Sequence, residues 1–161
     1  MALLALVVAG ACAGFLPLNF PGAKVFMGDV ASVPLGFIFA ALLVFGLQTG
    51  SLNWPASLLV MSLFIVDATF TLLRRVFRGE RWYTAHAQHV YQRLIAHGWT
   101  HSRVLVLYQV INVIWVLPVI VLAEIYPSNA IILAGLGYFL LGTCWYIANW
   151  RLGVIDSEQV K

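Results

Sequence analysis

Ala31-Ser-Val-Pro-Leu-Gly-Phe-Ile-Phe-Ala-Ala-Leu-Leu-Val-Phe-Gly-Leu-Gln48 contains no charged side chain. A helix crossing the ~30 Å hydrocarbon core of a bilayer needs about 20 predominantly apolar residues, so this run reads as a membrane span. Four further stretches read the same way, at roughly 2–18, 56–73, 104–122 and 130–149. Each must be helical, because an open strand edge in lipid leaves backbone N–H and C=O groups without partners. Composition agrees: 62% of the chain is hydrophobic and 9% charged, whereas a soluble domain carries about a quarter charged residues. The sequence predicts an all-α polytopic membrane protein of about five transmembrane helices, one integral-membrane region over 1–161. A separate soluble domain has no room.

The basic residues sort the loops. Lys24 lies in the loop over 19–30, and Arg74, Arg75, Arg78, Arg81, Arg93 and Arg103 crowd the loop over 74–103. Arg151 and Lys161 lie at the C-terminus, while the breaks around Gln48–Pro55 and Glu124–Asn129 hold no Lys or Arg. Short loops rich in Lys and Arg stay cytoplasmic, so five spans with the C-terminus inside satisfy every charge. The net charge of +3 is spread over span flanks facing anionic headgroups, which argues against a nucleic-acid partner. Trp54, Trp82, Trp99, Trp145 and Trp150 fall near predicted span ends and read as interfacial anchors. Pro118 predicts a kink in the fourth span. Gly10 with Gly14, and Gly135, Gly137 and Gly142, read as close-packing surfaces between helices. Cys12 and Cys144 sit inside spans without ligand spacing, so neither zinc nor a disulfide is expected.

Chemistry concentrates in the two basic loops. His86, His89, His97 and His101 all lie within sixteen residues, beside Arg93. If Arg81–His97 is a helix ending at Gly98, then His86, His89, Arg93 and His97 fall within roughly 80° of one another. Such a stripe suits a diphosphate, and it equally suits a solvated face at the headgroup level. Asp29 precedes an apolar helical run, as an N-cap would. It is also placed to be a metal ligand, with Gly28 leaving room for a phosphate. Mg²⁺ takes one or two carboxylates and completes its octahedron with water and substrate phosphates. Asp67 lies in the inner half of the third span, where a carboxylate is costly and by default a functional candidate. A helix-packing acid is the other reading. Asn112 reads as interhelical glue.

Two segments resemble a known family. Phe20-Pro21-x-Ala23-Lys24-Val25-Phe26-Met27-Gly28-Asp29-Val30-x-Ser32 resembles the phosphate-proximal loop of the polyprenyl-phosphate N-acetylhexosamine-1-phosphate transferases of glycosyltransferase family 4. Val66-Asp67-Ala68-Thr69, Leu72-Leu73-Arg74-Arg75 and Arg78-Gly79-Glu80 look like the helix and basic loop that follow. His86-x-x-His89-x-Tyr91-Gln92 is similar to the histidine motif of the O-antigen-initiating branch. The motifs occur in order over nearly the whole chain. Ala31 stands where the family usually has Gly, and Ala87 where it usually has Arg.

The resemblance implies a multi-pass protein of the bacterial inner membrane with a cytoplasmic active site. There a UDP-N-acetylhexosamine would pass its sugar-1-phosphate to undecaprenyl phosphate, with Mg²⁺ (or Mn²⁺ in its place) required and UMP released. Asp29 would be the catalytic residue and metal ligand, and Lys24, His86, His89 and Arg93 would bind substrate. The family's paired aspartates and its Asn- and Asp-bearing loop belong to an N-terminal half that this chain does not match. The resemblance therefore implies a C-terminal half that needs a separate N-terminal half and is inactive alone. Two other readings stand beside it. One is a non-catalytic membrane module or remnant that binds anionic lipid or a partner through the basic loop. The other is a transporter subunit using Asp67 and Asn112, although transporter sites usually lie near the bilayer midplane at broken helices.

Overall fold

The computed structural model describes residues 2–22, 24–25, 27–79 and 89–152. Every long element among them is helical, as uninterrupted apolar runs in lipid require. Two compact units divide the chain, Met1–Trp54 and Pro55–Lys161.

The first unit holds α1 (Ala2–Asn19) and α2 (Gly28–Gln48). At 1.5 Å per residue, the 21 residues of α2 rise about 30 Å, the thickness of a bilayer core. Both helices are apolar around their whole circumference and expose large side chains: Leu3 is 76% and Phe37 74% exposed. Such surfaces are stable against acyl chains and not against water. The turn after α2 closes tightly. Thr49 Oγ1 donates to the Phe45 carbonyl at 2.9 Å, and the Ser51 and Leu52 amides both donate to the Gly46 carbonyl. Leu52 folds back over Gly46, where a Cβ would stand 2.8 Å from Leu52 Cδ1.

In the second unit the third predicted span is broken. Helices α3 (Trp54–Val60) and α4 (Ser62–Phe77) bend by 72° at Met61. No Pro or Gly marks the place in 56–73, so composition could not locate it. Tertiary partners make it tolerable: Tyr138 Oη donates to the Leu58 carbonyl at 2.7 Å. Ala56, Leu59 and Ser62 around the bend are fully buried, as irregular backbone at membrane depth must be. A short helix, α5 (Val90–Ala96), precedes the fourth span, which is α6 (His101–Ile111), a π turn at Asn112–Val116 and α7 (Leu117–Ile125).

The kink expected at Pro118 takes the form of that π turn. Proline has no amide to donate to the carbonyl of residue 114, and the ladder widens one turn earlier, with the Leu117 amide reaching the Asn112 carbonyl. Pro127–Asn129 then turns the chain into α8 (Ala130–Arg151). A core of small and branched residues, Ala56, Leu59, Val119, Ala123, Ala130 and Ala134, joins α3, α7 and α8. Gly137 and Gly142 lie against Leu59 and Phe70 as close-packing positions should, whereas Gly10, Gly14 and Gly135 face open space. Among the described residues, four helices are long and apolar enough to cross a membrane, or five if the bent pair is one span. The protein is an all-α, multi-pass membrane protein.

Candidate functional site

In the first unit the chain leaves α1 through a cis Phe20–Pro21 peptide and doubles back, so that the Lys24 amide donates to the Leu18 carbonyl at 2.8 Å. Gly28 has φ +63°, a left-handed conformation that a side chain would strain. Asp29 is not the helix cap that its position suggested. Met27 occupies the cap, and Asp29 lies in the first turn of α2. There its negative charge faces the positive end of the helix dipole. Its side chain is exposed, and so is Lys24. This loop therefore presents one carboxylate and one ammonium group to whatever lies outside it.

The second unit builds a denser polar arrangement. Asp67, on α4, accepts the Val90 amide and the Trp145 indole Nε1–H through Oδ1, each at 3.1 Å. Its Oδ2 lies 3.2 Å from His89 Nδ1. His89 is the N-cap of α5, in an extended conformation at φ −63° and ψ 149°, and Gln92 Oε1 accepts its backbone amide at 3.1 Å. The His89 ring stacks on Tyr91 at 5.9 Å between centroids. Beneath it, Val90, Leu94 and Val104 fasten α5 to α6, with Trp145 and Ala148 of α8 packed against them.

These bonds replace the expected histidine stripe. The helix begins at Val90 because Asp67 and Gln92 satisfy the groups around its first turn, so His89 lies off the helical face that was to carry His86, His89, Arg93 and His97. His86, like Arg81, falls outside the described residues. Arg93 points inward and is only 2% exposed. Its Nη2 donates to the Asn149 carbonyl at 3.2 Å, near the C-terminal end of α8, where cations are favoured. Arg74 donates to the side-chain oxygen of the same Asn149. Burial first, and then the neighbouring Arg74 and Arg78 guanidiniums, hold Arg93 below the usual arginine range. Among the described residues Arg93 Nη1 has no hydrogen-bond partner. His97 closes α5, its Nδ1 2.8 Å from the Arg93 carbonyl. Trp145, expected as an interfacial anchor, also supplies the indole N–H that serves Asp67.

The chemistry of a metal fits one part of this. Among the described residues no three His, Cys, Asp or Glu side chains converge on a common point. Asp29 suits the single-carboxylate share of a Mg²⁺ site that substrate phosphates and water complete.

Comparison with known proteins gives this arrangement a context. The sequence model described as glycosyl transferase family 4 matches residues 1–47, which include α1, the Lys24–Asp29 loop and nearly all of α2. Decaprenyl-phosphate N-acetylglucosaminephosphotransferase of Mycobacterium leprae is 33% identical over 119 residues, covering 66% of this chain and 30% of that protein. The chain belongs to glycosyl transferase family 4. A second family 4 relative, the probable undecaprenyl-phosphate N-acetylglucosaminyl 1-phosphate transferase of Bacillus subtilis, is 32% identical over 123 residues, 74% of this chain and 34% of its own length. A third, phospho-N-acetylmuramoyl-pentapeptide-transferase of Rickettsia canadensis, is 33% identical over 113 residues, covering 67% and 29%. The matched part of this family 4 chain thus spans about a third of the length of these relatives. No solved structure matches it significantly.

The sequence singled out Asp29, Lys24 and His89 as candidate site residues; the structure leaves Asp29 and Lys24 exposed and His89 partly exposed. It missed what holds His89 in place. The i, i+3 pair of His89 and Gln92 was a readable signal for a helix start, but the contribution of Trp145, 78 residues from Asp67, had none.

Proposed function

We propose that this chain takes part in the transfer of an N-acetylhexosamine-1-phosphate from a UDP-sugar to polyprenyl phosphate, at the cytoplasmic face of a bacterial inner membrane. The product would be a lipid intermediate that starts a cell-surface glycan such as an O-antigen. The observation that carries the reading is the identity of about a third to relatives named for decaprenyl- and undecaprenyl-phosphate acceptors. The charge pattern supports the orientation, because both basic loops and the C-terminus then face the cytoplasm.

In this reaction an oxygen of the lipid phosphate attacks the sugar-bearing phosphorus. The bond from that phosphorus to the UMP oxygen breaks, and UMP leaves with the electron pair. Catalysis of such a displacement is mostly positioning plus relief of negative charge. Bound Mg²⁺, or Mn²⁺ in its place, would supply a Lewis acid at the diphosphate. Asp29, exposed in the first turn of α2, is the carboxylate that would hold it. Lys24 would bring an ammonium group to a phosphate oxygen. His89, and His86 by the motif, would contact the nucleotide-sugar. Arg93 is too buried to reach a substrate except through its field. The paired aspartates of the resembled family have no match in this chain, so the reading calls for further acidic groups from a partner or N-terminal half.

The test is UMP release from UDP-N-acetylglucosamine and undecaprenyl phosphate. Membranes would contain this chain together with the segment of the Bacillus subtilis relative that precedes its matched region. Turnover is expected there and not with the purified chain alone, and Asp29→Asn should lower it about 100-fold, about 2.7 kcal/mol of barrier. Robust turnover by the chain alone would remove the need for additional acidic groups. Full activity of Asp29→Asn would end the metal role. Binding to anionic vesicles with no turnover in the complemented membranes would favour a non-catalytic module that uses its basic loop for lipid.

A further inference from the structure

A carboxylate inside a membrane span persists only where its oxygens are well supplied with donors. Asp67 is supplied from three directions. Oδ1 takes the first amide of α5 and the Trp145 indole of α8, and Oδ2 meets the imidazole of His89. The Asp67 side chain is 13% exposed, while that of His89 is 37% exposed. One carboxylate therefore ties α4, α8 and the start of α5 together, with an imidazole at the open edge of the knot.

We propose that Asp67 is the positioning residue of His89: it holds the imidazole with the proton on Nδ1 and leaves Nε2 as the nitrogen that accepts from a hydroxyl of the sugar nucleotide. This rests on the reading of His89 as a donor-binding group. An ionised carboxylate only accepts hydrogen bonds, so the ring nitrogen facing it carries a proton. The hydrogen bond made by one imidazole nitrogen fixes the tautomer at the other. Stacking on Tyr91 restrains the ring plane. Anchorage of the next residue's amide on the same carboxylate restrains the backbone that carries the ring. Without these constraints an imidazole on an extended cap residue has free rotamers and two tautomers.

A competing arrangement exists within α5 itself. The His89 side chain also faces the Gln92 amide as in a capping box. Were that amide the controlling partner, Nδ1 would accept and the proton would reside on Nε2. The two arrangements give opposite tautomers, which makes the assignment measurable.

The experiment uses the full chain in lipid nanodiscs, labelled with ¹⁵N-histidine, at mildly alkaline pH where imidazole is mostly neutral. His89→Gln identifies the His89 resonances. The wild type should show protonated Nδ1 and unprotonated Nε2. In Asp67→Asn, the amide oxygen can still accept from Val90 and Trp145 while the NH₂ faces the imidazole, so the tautomer should invert. In complemented membranes the same variant should raise KM for the UDP-sugar about tenfold, the lower end of what losing the orienting partner of a ligating histidine costs. A wild-type proton on Nε2, or the same tautomer in both proteins, would overturn the proposal. The wild-type spectrum decides it even if Asp67→Asn does not fold. Because the tautomer is read without turnover, failure of the transferase reading would remove the sugar-nucleotide contact but leave Asp67's control of the tautomer standing. Lost turnover with an unchanged tautomer would sink the positioning role and spare the transferase reading.

Discussion

Asp29 and Asp67 are the two aspartates that sequence alone marks as candidates, and the fold treats them in opposite ways. Asp29 stands exposed in the first turn of α2, with its charge towards solvent. Asp67 has its oxygens engaged by an amide, an indole and an imidazole. The same side chain is thus left open to its surroundings in one unit and made a structural clasp in the other. The donors around a carboxylate decide which. The sharpest way to break this contrast is to remove each carboxylate in turn. Asp67→Ala leaves the Trp145 Nε1–H and the Val90 amide without their acceptor, and a buried donor left unsatisfied costs roughly 1–3 kcal/mol. Unfolding in detergent micelles should register a loss of about 3 kcal/mol. Asp29→Ala should stay within about 0.5 kcal/mol, as for an exposed substitution. Equal losses would show that the two carboxylates are not divided in this way.

The same division between enclosed and open surroundings runs along α8, and it supplies a smaller effect. A Cβ at Gly137 would stand 3.0 Å from Leu59 Cδ2, beside the bend between α3 and α4. Gly135, two residues earlier, meets nothing within 4 Å. Gly137→Leu should therefore destabilise the second unit by about 2 kcal/mol through overpacking. Gly135→Leu should leave the unfolding transition almost unmoved, or raise it slightly through helix propensity. A comparable loss at both positions would mean that Gly135 also packs against protein, and the boundary between core and lipid-facing surface would have to be redrawn.

How much of this was legible follows from the range over which each signal acts. Membrane spans announce themselves locally, because lipid demands long apolar runs, and the predicted run at 31–48 ends where α2 ends. The bend at Met61 was not legible: its stability comes from Tyr138, 80 residues away from the carbonyl it serves. Pro118 did predict an irregularity, and the π turn falls on its N-terminal side, where the missing amide is felt. For the site, residue type was legible and role was not. The histidine stripe assumed one continuous helix through 81–97, and it failed at His89, an extended cap residue, where Asp67 and Gln92 hold the start of a helix at Val90. Arg93 shows the same limit from the other side. Its position in a basic loop suggested a substrate contact, but the end of α8 draws it into the interior. Asp29 and Lys24 were easier to place, because a loop of breakers and glycine keeps its polar side chains outside.

Lys24 offers the finest test of the open half of the contrast. Its backbone is fixed by the amide bond to Leu18, while its side chain is exposed. Lys24→Gln therefore removes a charge and leaves the path of the loop unchanged. An exposed charge in high dielectric contributes up to about 1 kcal/mol, which is a factor of about five in an equilibrium. In complemented membranes KM for the UDP-sugar should rise by no more than that, with kcat nearly constant. Salt should erase the difference, because near 1 M the screening length falls to about 3 Å. A larger loss that persists in salt would mean that the ammonium group works in a desolvated pocket. Asp29 would then share that enclosure, and the open loop would prove to be as structured around its ligand as Asp67 is around its donors.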